Sequence, residues 1–114
     1  MLRLQTALLA AAFLGSAGAI QAQQNWPVKP VRLIVANAAG ASVDTGARIV
    51  AGALSASVGQ AVIVDNRPGA DGYLAAETVA RAAPDGYTLF FASQSIFAID
   101  PHIKKTFPFD LERD

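Results

Sequence analysis

The feature that most constrains the fold is a regular alternation of short apolar runs with segments of helical periodicity. Apolar runs at 31–36, 61–65 and 88–92 predict three strands, and the β-branched first run is typical of a strand buried on both faces. Between the runs, apolar residues recur at helical spacing and predict two helices, the first of which ends at Gly59. This order predicts an α/β fold, a βαβαβ unit with a parallel sheet and helices on both faces.

The same periodicity assigns individual residues to the core and to the loops. Val50 and Leu74 fall on the apolar faces of the two predicted helices and are expected to pack against the sheet. After the third run, residues 93–95 predict a turn and residues 96–99 a short apolar segment. Residues 100–102 follow as a predicted loop.

The composition excludes several kinds of site. The chain of 114 residues has no cysteine and a single histidine, which argues against a zinc site and a cysteine nucleophile. Nine Lys and Arg residues balance nine Asp and Glu residues, so the chain lacks the basic excess that binds nucleic acid. The glycine-containing loops match no nucleotide-binding motif, and no serine lies in a nucleophile elbow. We therefore expect no metal, no cofactor and no nucleic-acid partner.

The N-terminal segment has the organisation of a secretory signal peptide, predicted here for residues 1–22. Arg3 supplies the positive start, residues 7–14 form an apolar run, and small residues lead to Ala19 and Ala22. The apolar run is too short to span a bilayer. We expect cleavage after Ala22 or Ala19, a periplasmic location, and no membrane insertion of the mature chain.

The loops that follow the predicted strands are where an open parallel sheet binds a ligand. They span residues 39–42, 66–72 and 93–95 and are rich in Gly, Ala, Ser and Asn. Backbone amides at helix N-termini and serine hydroxyls suit a carboxylate or a phosphate. The same residue types also form tight turns, and spacing alone leaves both interpretations open. Asp44, at the start of the first helix, is expected to cap backbone amides rather than contact a ligand.

Several segments together resemble Bug-type solute-binding proteins, the periplasmic receptors of tripartite tricarboxylate transporters. The matching segments are WPVKPVRLIV at 26–35, VDNRPGADG at 64–72, VARAAPDGYTL at 79–89 and PFD at 108–110. The resemblance implies that residues 23–114 are the N-terminal part of the first domain of a two-domain, Venus-flytrap receptor. Such a receptor is not an enzyme; it closes around a small carboxylate and delivers it to a membrane permease.

The resemblance also implies which residues face the ligand. They are Gly40, Ala41 and Ser42 in the first loop, Asn66, Gly69 and Ala70 in the second, and Ser93 and Ser95 in the third. The family's first loop usually carries Pro-Phe and a double glycine, where this chain has Ala36-Asn37 and Gly40-Ala41. Because this departure changes the backbone freedom of the loop, the identity of the carboxylate is left open.

Two other hypotheses remain open at this level. The family chain continues beyond Asp114 into a hinge and a second domain, so one hypothesis is a non-functional truncated remnant of a receptor. The other is a small exported α/β hydrolase, which would need a base near Ser42, Ser93 or Ser95. His102 is the single histidine of the sequence.

We expect residues 23–114 alone to bind no carboxylate tightly. Binding pockets enclose most of a small ligand's surface, whereas half of a cleft leaves much of that surface in water. Titration calorimetry with succinate, citrate, glutamate or nicotinate should therefore give no clear binding isotherm. A clear, saturating isotherm with any of the four would contradict this expectation.

Overall fold

The computed structural model describes residues 25–106 and 109–110, so the predicted signal peptide at 1–22 lies outside the described residues. No helix within the described part of the chain is long and apolar enough to cross a membrane. The strands are β1 (Val31–Val35), β2 (Val62–Asn66) and β3 (Thr88–Phe91). The helices are α1 (Ser42–Val58), α2 (Tyr73–Ala80), α3 (Gln94–Ala98) and α4 (Asp100–Ile103). A 3₁₀ turn at Ala70–Gly72 precedes α2.

The three strands form one parallel sheet in the order β2-β1-β3, which confirms the predicted fold class. In the register of the sheet, Val35 at the end of β1 pairs with Asn66 of β2 and with Phe91 of β3. The carboxyl ends of all three strands therefore lie at one edge, and the loops that follow them are brought together there.

The two faces of β1 are covered by different helices. Leu33 and Val35 point to one face and pack with Ala47 and Ala51 of α1. On the other face, Ile34 packs in a second cluster with Ala36 of the following loop and Ala75 of α2. This separation follows from the alternation of side chains along a strand. Because the helices present alanine to the sheet, their backbones can approach it closely.

Three local expectations are corrected by the structure. Val50 and Leu74 are 38% and 50% exposed, because alanines at other positions of α1 and α2 make the contact with the sheet. Residues 100–102 form the start of α4 instead of a loop. Pro101 lies in the first turn of that helix, where proline's missing N–H has no intrahelical partner to lose.

Gly72 is the point where the turn before α2 meets the core. It has a positive φ of 89°, and a Cβ atom there would lie 3.0 Å from the Cβ of Ala36 and 3.2 Å from the Cδ1 of Ile96. Gly59, which ends α1, also has a positive φ of 72°, but a Cβ there would have nothing within 4 Å. An alanine at Gly59 would therefore suffer backbone strain alone, whereas an alanine at Gly72 would suffer both backbone strain and a steric clash.

We predict that Gly72→Ala lowers the free energy of unfolding by about 3 kcal/mol, through overpacking added to left-handed strain. Gly59→Ala, which carries the strain alone, should cost about 1 kcal/mol. Urea unfolding of the two variants measures the difference. Equal losses in both variants would show that the close approach of Gly72 to Ala36 and Ile96 is not a tight contact.

Candidate functional site

A cavity of about 550 Å³ opens at the carboxyl ends of the strands. Its apolar floor is formed by Ala36, which follows β1, and Ile96 of α3. The rest of the lining comes from the three strand-end loops, from α4 and from the residue that follows α4: Asn37, Ala38, Pro68, Gly69, Asp71, Gly72, Ser93, Ser95, Asp100 and Lys104. Small residues dominate the loop part of this lining, so backbone atoms border much of the cavity.

The first and second loops are joined by the carboxylate of Asp44, which is 3% exposed. Its Oδ2 accepts hydrogen bonds from the backbone N–H of Gly40 at 2.9 Å and from Arg48 Nε at 3.0 Å. Its Oδ1 accepts one from Asn66 Nδ2 at 2.9 Å, and the same nitrogen donates to the main-chain oxygen of Asn37 at 2.9 Å. One buried carboxylate therefore fixes the loop after β1, the start of α1 and the end of β2 to one another.

These donors hold Asp44 in its ionised form. The backbone N–H of Gly40, followed by Arg48 and Asn66, lowers the pKa of Asp44 from 3.8 to about 2. The sequence predicts that Asp44 caps backbone amides, and it does accept a hydrogen bond from one. That amide belongs to Gly40, which lies before the first residue of α1 and not in its first turn. Ala41 occupies the N-cap position and makes no side-chain cap of its own.

The second loop passes through four successive residues with positive φ. The values are 130° at Gly69, 48° at Ala70, 56° at Asp71 and 89° at Gly72. Glycine adopts such angles without penalty, whereas Ala70 and Asp71 are strained there. The N–H of Gly72 donates to the oxygen of Gly69 at 2.9 Å and closes this turn. The turn directs the side chain of Asp71 towards the cavity wall formed by α4.

The third loop contributes two hydroxyl groups that lie side by side. Ser93 Oγ and Ser95 Oγ are 2.8 Å apart and share one hydrogen bond. Ile96, the residue that follows them, is 2% exposed and anchors this segment in the core. Each hydroxyl carries a single proton, so the pair keeps one proton that can be donated to a ligand.

A cluster of charged and phenolic groups, here called the Lys104 corner, forms the wall of the cavity next to α4. Lys104 Nζ lies 3.4 Å from Asp71 Oδ2, 3.7 Å from Asp100 Oδ2 and 4.1 Å from the centre of the Tyr73 ring. Tyr73 Oη donates to Asp100 Oδ2 at 2.9 Å. The hydrogen bond with Tyr73 and the charge of Asp100 raise the pKa of Lys104, and burial raises the pKa of Tyr73. Lys104 therefore stays protonated in this corner.

The structure brings three of the eight predicted ligand-facing residues to the cavity, namely Gly69, Ser93 and Ser95. Asn66 is adjacent, but its amide nitrogen is engaged with Asp44 and Asn37. The other four belong to the first and second loops but do not line the cavity: Gly40, Ala41, Ser42 and Ala70. Within residues 25–106 and 109–110, no three metal-binding side chains come close enough to hold a metal ion.

Sequence reasoning missed the Lys104 corner. Asp71 and Lys104 are 33 positions apart, and Tyr73 and Asp100 are 27 apart, so no local pattern connects them. These side chains meet across the segment that joins the second loop to the end of the described chain.

An α/β sheet with a polar cavity at its strand ends is the arrangement of periplasmic binding proteins, and solved structures of that class are similar to this chain. The structure of R. palustris Rpa4515 with adipate matches 78% of this chain and 30% of that protein, with 36% identity and a TM-score of 0.71. MatC (Rpa3494) from Rhodopseudomonas palustris with bound malate matches 57% of this chain and 22% of that protein, with 43% identity and a TM-score of 0.55.

Within that class, residues 46–114 match the tripartite tricarboxylate transporter family receptor, and the chain belongs to this family. A UPF0065 protein of Bordetella bronchiseptica is 48% identical over 110 residues, which are 96% of this chain and 33% of that protein. The chain thus spans about a third of the length of this relative. The family resemblance predicted from the sequence is confirmed.

We predict that the contribution of Asp44 to stability depends on pH. An aspartate titrates at about 3.9 in an unfolded chain and at about 2 in this fold, so ionised Asp44 stabilises the fold above about pH 4. This contribution is lost as the pH falls towards 2. Urea unfolding should therefore give Asp44→Asn a much lower free energy of unfolding than the wild type at neutral pH. The difference should shrink as the pH is lowered towards 2.

The matched control is Glu77→Gln, which removes one negative charge from a surface ion pair with Arg81 on α2. We expect this change to cost at most about 0.5 kcal/mol, since exposed ion pairs contribute little. If Asp44→Asn behaved like this control at neutral pH, the carboxylate would not hold the two loops together.

Proposed function

We propose that this chain is the N-terminal part of a periplasmic receptor that captures a small organic acid at the strand-end cavity. The observation that carries the proposal is that the hydroxyl pair of Ser93 and Ser95 and the turn at Gly69 line the same cavity. Hydroxyl and backbone N–H groups are suitable donors to a carboxylate, because both hydrogen-bond strongly to an anion. The family of this chain and the adipate and malate in two similar structures support the same ligand class.

The lining favours recognition mainly by neutral donors. Lys104 already has two carboxylates within 4 Å, so the free positive charge that it offers to an anion is reduced. Gly69 and Ala38 carry little or no side chain, which lets a ligand oxygen approach the backbone. The carboxylate would therefore replace its hydration shell with the hydroxyl pair and nearby amides.

The remainder of the proposal concerns export and partners. The signal peptide at 1–22, cleaved after Ala22 or Ala19, would release the chain into the periplasm. Residues 23–114 would supply part of the first of two domains, and this is consistent with the chain's spanning a third of its relative. The loaded receptor would pass its ligand to the membrane permease of a tripartite tricarboxylate-type transporter, as its family implies.

Chemical-shift titration of the 114-residue chain tests ligand capture, because it detects the weak binding expected of an open cleft. We expect adipate or malate to produce saturable shifts at the amides of Ala38, Gly69, Ser93 and Ser95. The neutral diamide of adipic acid is the matched ligand control and should produce none. Shifts of equal size with the diamide, or shifts spread over the whole surface, would contradict the proposal.

A serine substitution gives the corresponding test on the protein side. Replacing Ser93 and Ser95 together with alanine should weaken malate binding roughly tenfold, the loss of one hydrogen bond to a charged group. Ser57→Ala, at an exposed position near the end of α1, should leave the binding unchanged. An unchanged affinity in the double variant would remove the hydroxyl pair from the site.

A further inference from the structure

The ammonium of Lys104 is held at the cavity wall by Tyr73, Asp71 and Asp100. Its main-chain N–H donates to the oxygen of Asp100 at 2.9 Å, and its side chain packs over the Tyr73 ring and is 31% exposed. These contacts fix the position of Nζ at the cavity wall. Because the Lys104 side chain has already lost much of its conformational freedom, binding a ligand to it would cost little additional entropy.

The carboxylates around Lys104 make only long contacts with it. The distances from Nζ are 3.4 Å to Asp71 Oδ2 and 3.7 Å to Asp100 Oδ2. Hydrogen bonds between an ammonium and a carboxylate are about 2.7–2.9 Å long when they are well formed. The ammonium has three N–H donors, and Tyr73, Asp71 and Asp100 already surround it, so another oxygen can form a shorter bond only by replacing one of the long contacts.

The two carboxylates differ in how firmly they are fixed. Asp100 accepts a hydrogen bond from Tyr73 Oη at 2.9 Å, and its side chain is 14% exposed. The side chain of Asp71 is 85% exposed and belongs to the strained turn with a φ of 56°. If the Asp71 carboxylate moves away from Lys104, water hydrates it in place of the long contact. The loss in free energy is small, because exposed ion pairs contribute little. Asp71 is therefore the replaceable partner of Lys104.

We propose that Lys104 is a specificity-determining residue that binds a ligand carboxylate directly, and that Asp71 competes with the ligand for it. This inference rests on the proposed function, since it concerns the same cavity. With Asp71 in place, the Lys104 corner carries two negative charges against one positive charge and disfavours an anion. When a ligand carboxylate takes the place of Asp71 next to Nζ, the lysine gains a short bond in exchange for a long one.

The proposal explains how one site can use both neutral donors and a cation. A ligand with two carboxylates would place one near the hydroxyls of Ser93 and Ser95 and the other at Lys104, since all three residues line the same cavity. A monocarboxylate could satisfy only one of these positions. Lys104 would thus favour dicarboxylates, and Asp71 would set how strongly a ligand must bind to displace it.

A double-mutant cycle on the 114-residue chain tests this arrangement, with malate affinity measured by chemical-shift titration. Asp71→Asn should tighten binding several-fold, and Lys104→Gln should weaken it roughly tenfold, as expected for the loss of a charged hydrogen bond. The double variant should bind like Lys104→Gln alone, because Asp71 acts through Lys104. Lys104→Arg, which keeps the charge, should retain most of the affinity.

Two controls separate contact from general electrostatics and from misfolding. Lys105→Gln removes the neighbouring exposed lysine, which does not line the cavity, and should leave affinity unchanged. Glu77→Gln serves in the same way for Asp71→Asn. The amide spectrum of each variant reports whether it remains folded.

The outcomes distinguish this inference from the proposed function. If malate still binds at the strand ends but Lys104→Gln behaves like Lys105→Gln, the cavity is the site and the role of Lys104 is wrong. If Asp71→Asn tightens binding equally with and without Lys104, Asp71 acts by charge alone and the competition is wrong. If the wild-type chain shows no saturable shifts at the cavity, the proposed function fails and this inference fails with it.

Discussion

The site depends first on the ionised carboxylate of Asp44. Parallel strands deliver their carboxyl ends to one edge of a sheet, but they do not fix the loops that follow. Here one buried carboxylate takes hydrogen bonds from Gly40, Arg48 and Asn66, which belong to three different elements. Its charge is compensated by donors from every side, so burial is tolerated. The backbone next to the cavity is therefore fixed before any ligand arrives.

The turn before α2, which also lines the cavity, is built in a different way. The turn at 69–72 is closed by one backbone hydrogen bond and contains two non-glycine residues with positive φ. Gly72 ties this turn to the core by its contact with Ala36 and Ile96, while Asp71 remains exposed to solvent. The site thus combines loops held by a buried charge with a turn whose outer residue, Asp71, is exposed. Local strain at a candidate ligand site is consistent with this division.

The sheet and its strand-end loops could be predicted from the sequence because they follow from local patterns. The apolar runs predict the strands, helical spacing predicts α1 and α2, and Gly59 ends α1 as expected. What could not be predicted depends on contacts between distant segments. The amide of Asn66 donates a hydrogen bond to Asp44, whereas the family resemblance implied that Asn66 faces a ligand. Lys104 meets Asp71 across 33 positions of sequence, a contact that no local pattern indicates.

Under the proposed function, the division between neutral and charged donors would decide which organic acids the site accepts. A fully exposed cation in the cavity would attract many anions, and a cavity with neutral donors alone would distinguish poorly between one carboxylate and two. Lys104 lies between these extremes, because Asp71 and Asp100 reduce its attraction while its long contacts leave room for a better partner. Discrimination between ligands would then depend on how much better Lys104 binds a ligand carboxylate than it binds Asp71, and not on the total charge of the site. In the proposed arrangement, a ligand would gain affinity from Lys104 only if it reached both ends of the cavity, because Asp71 competes for the same ammonium.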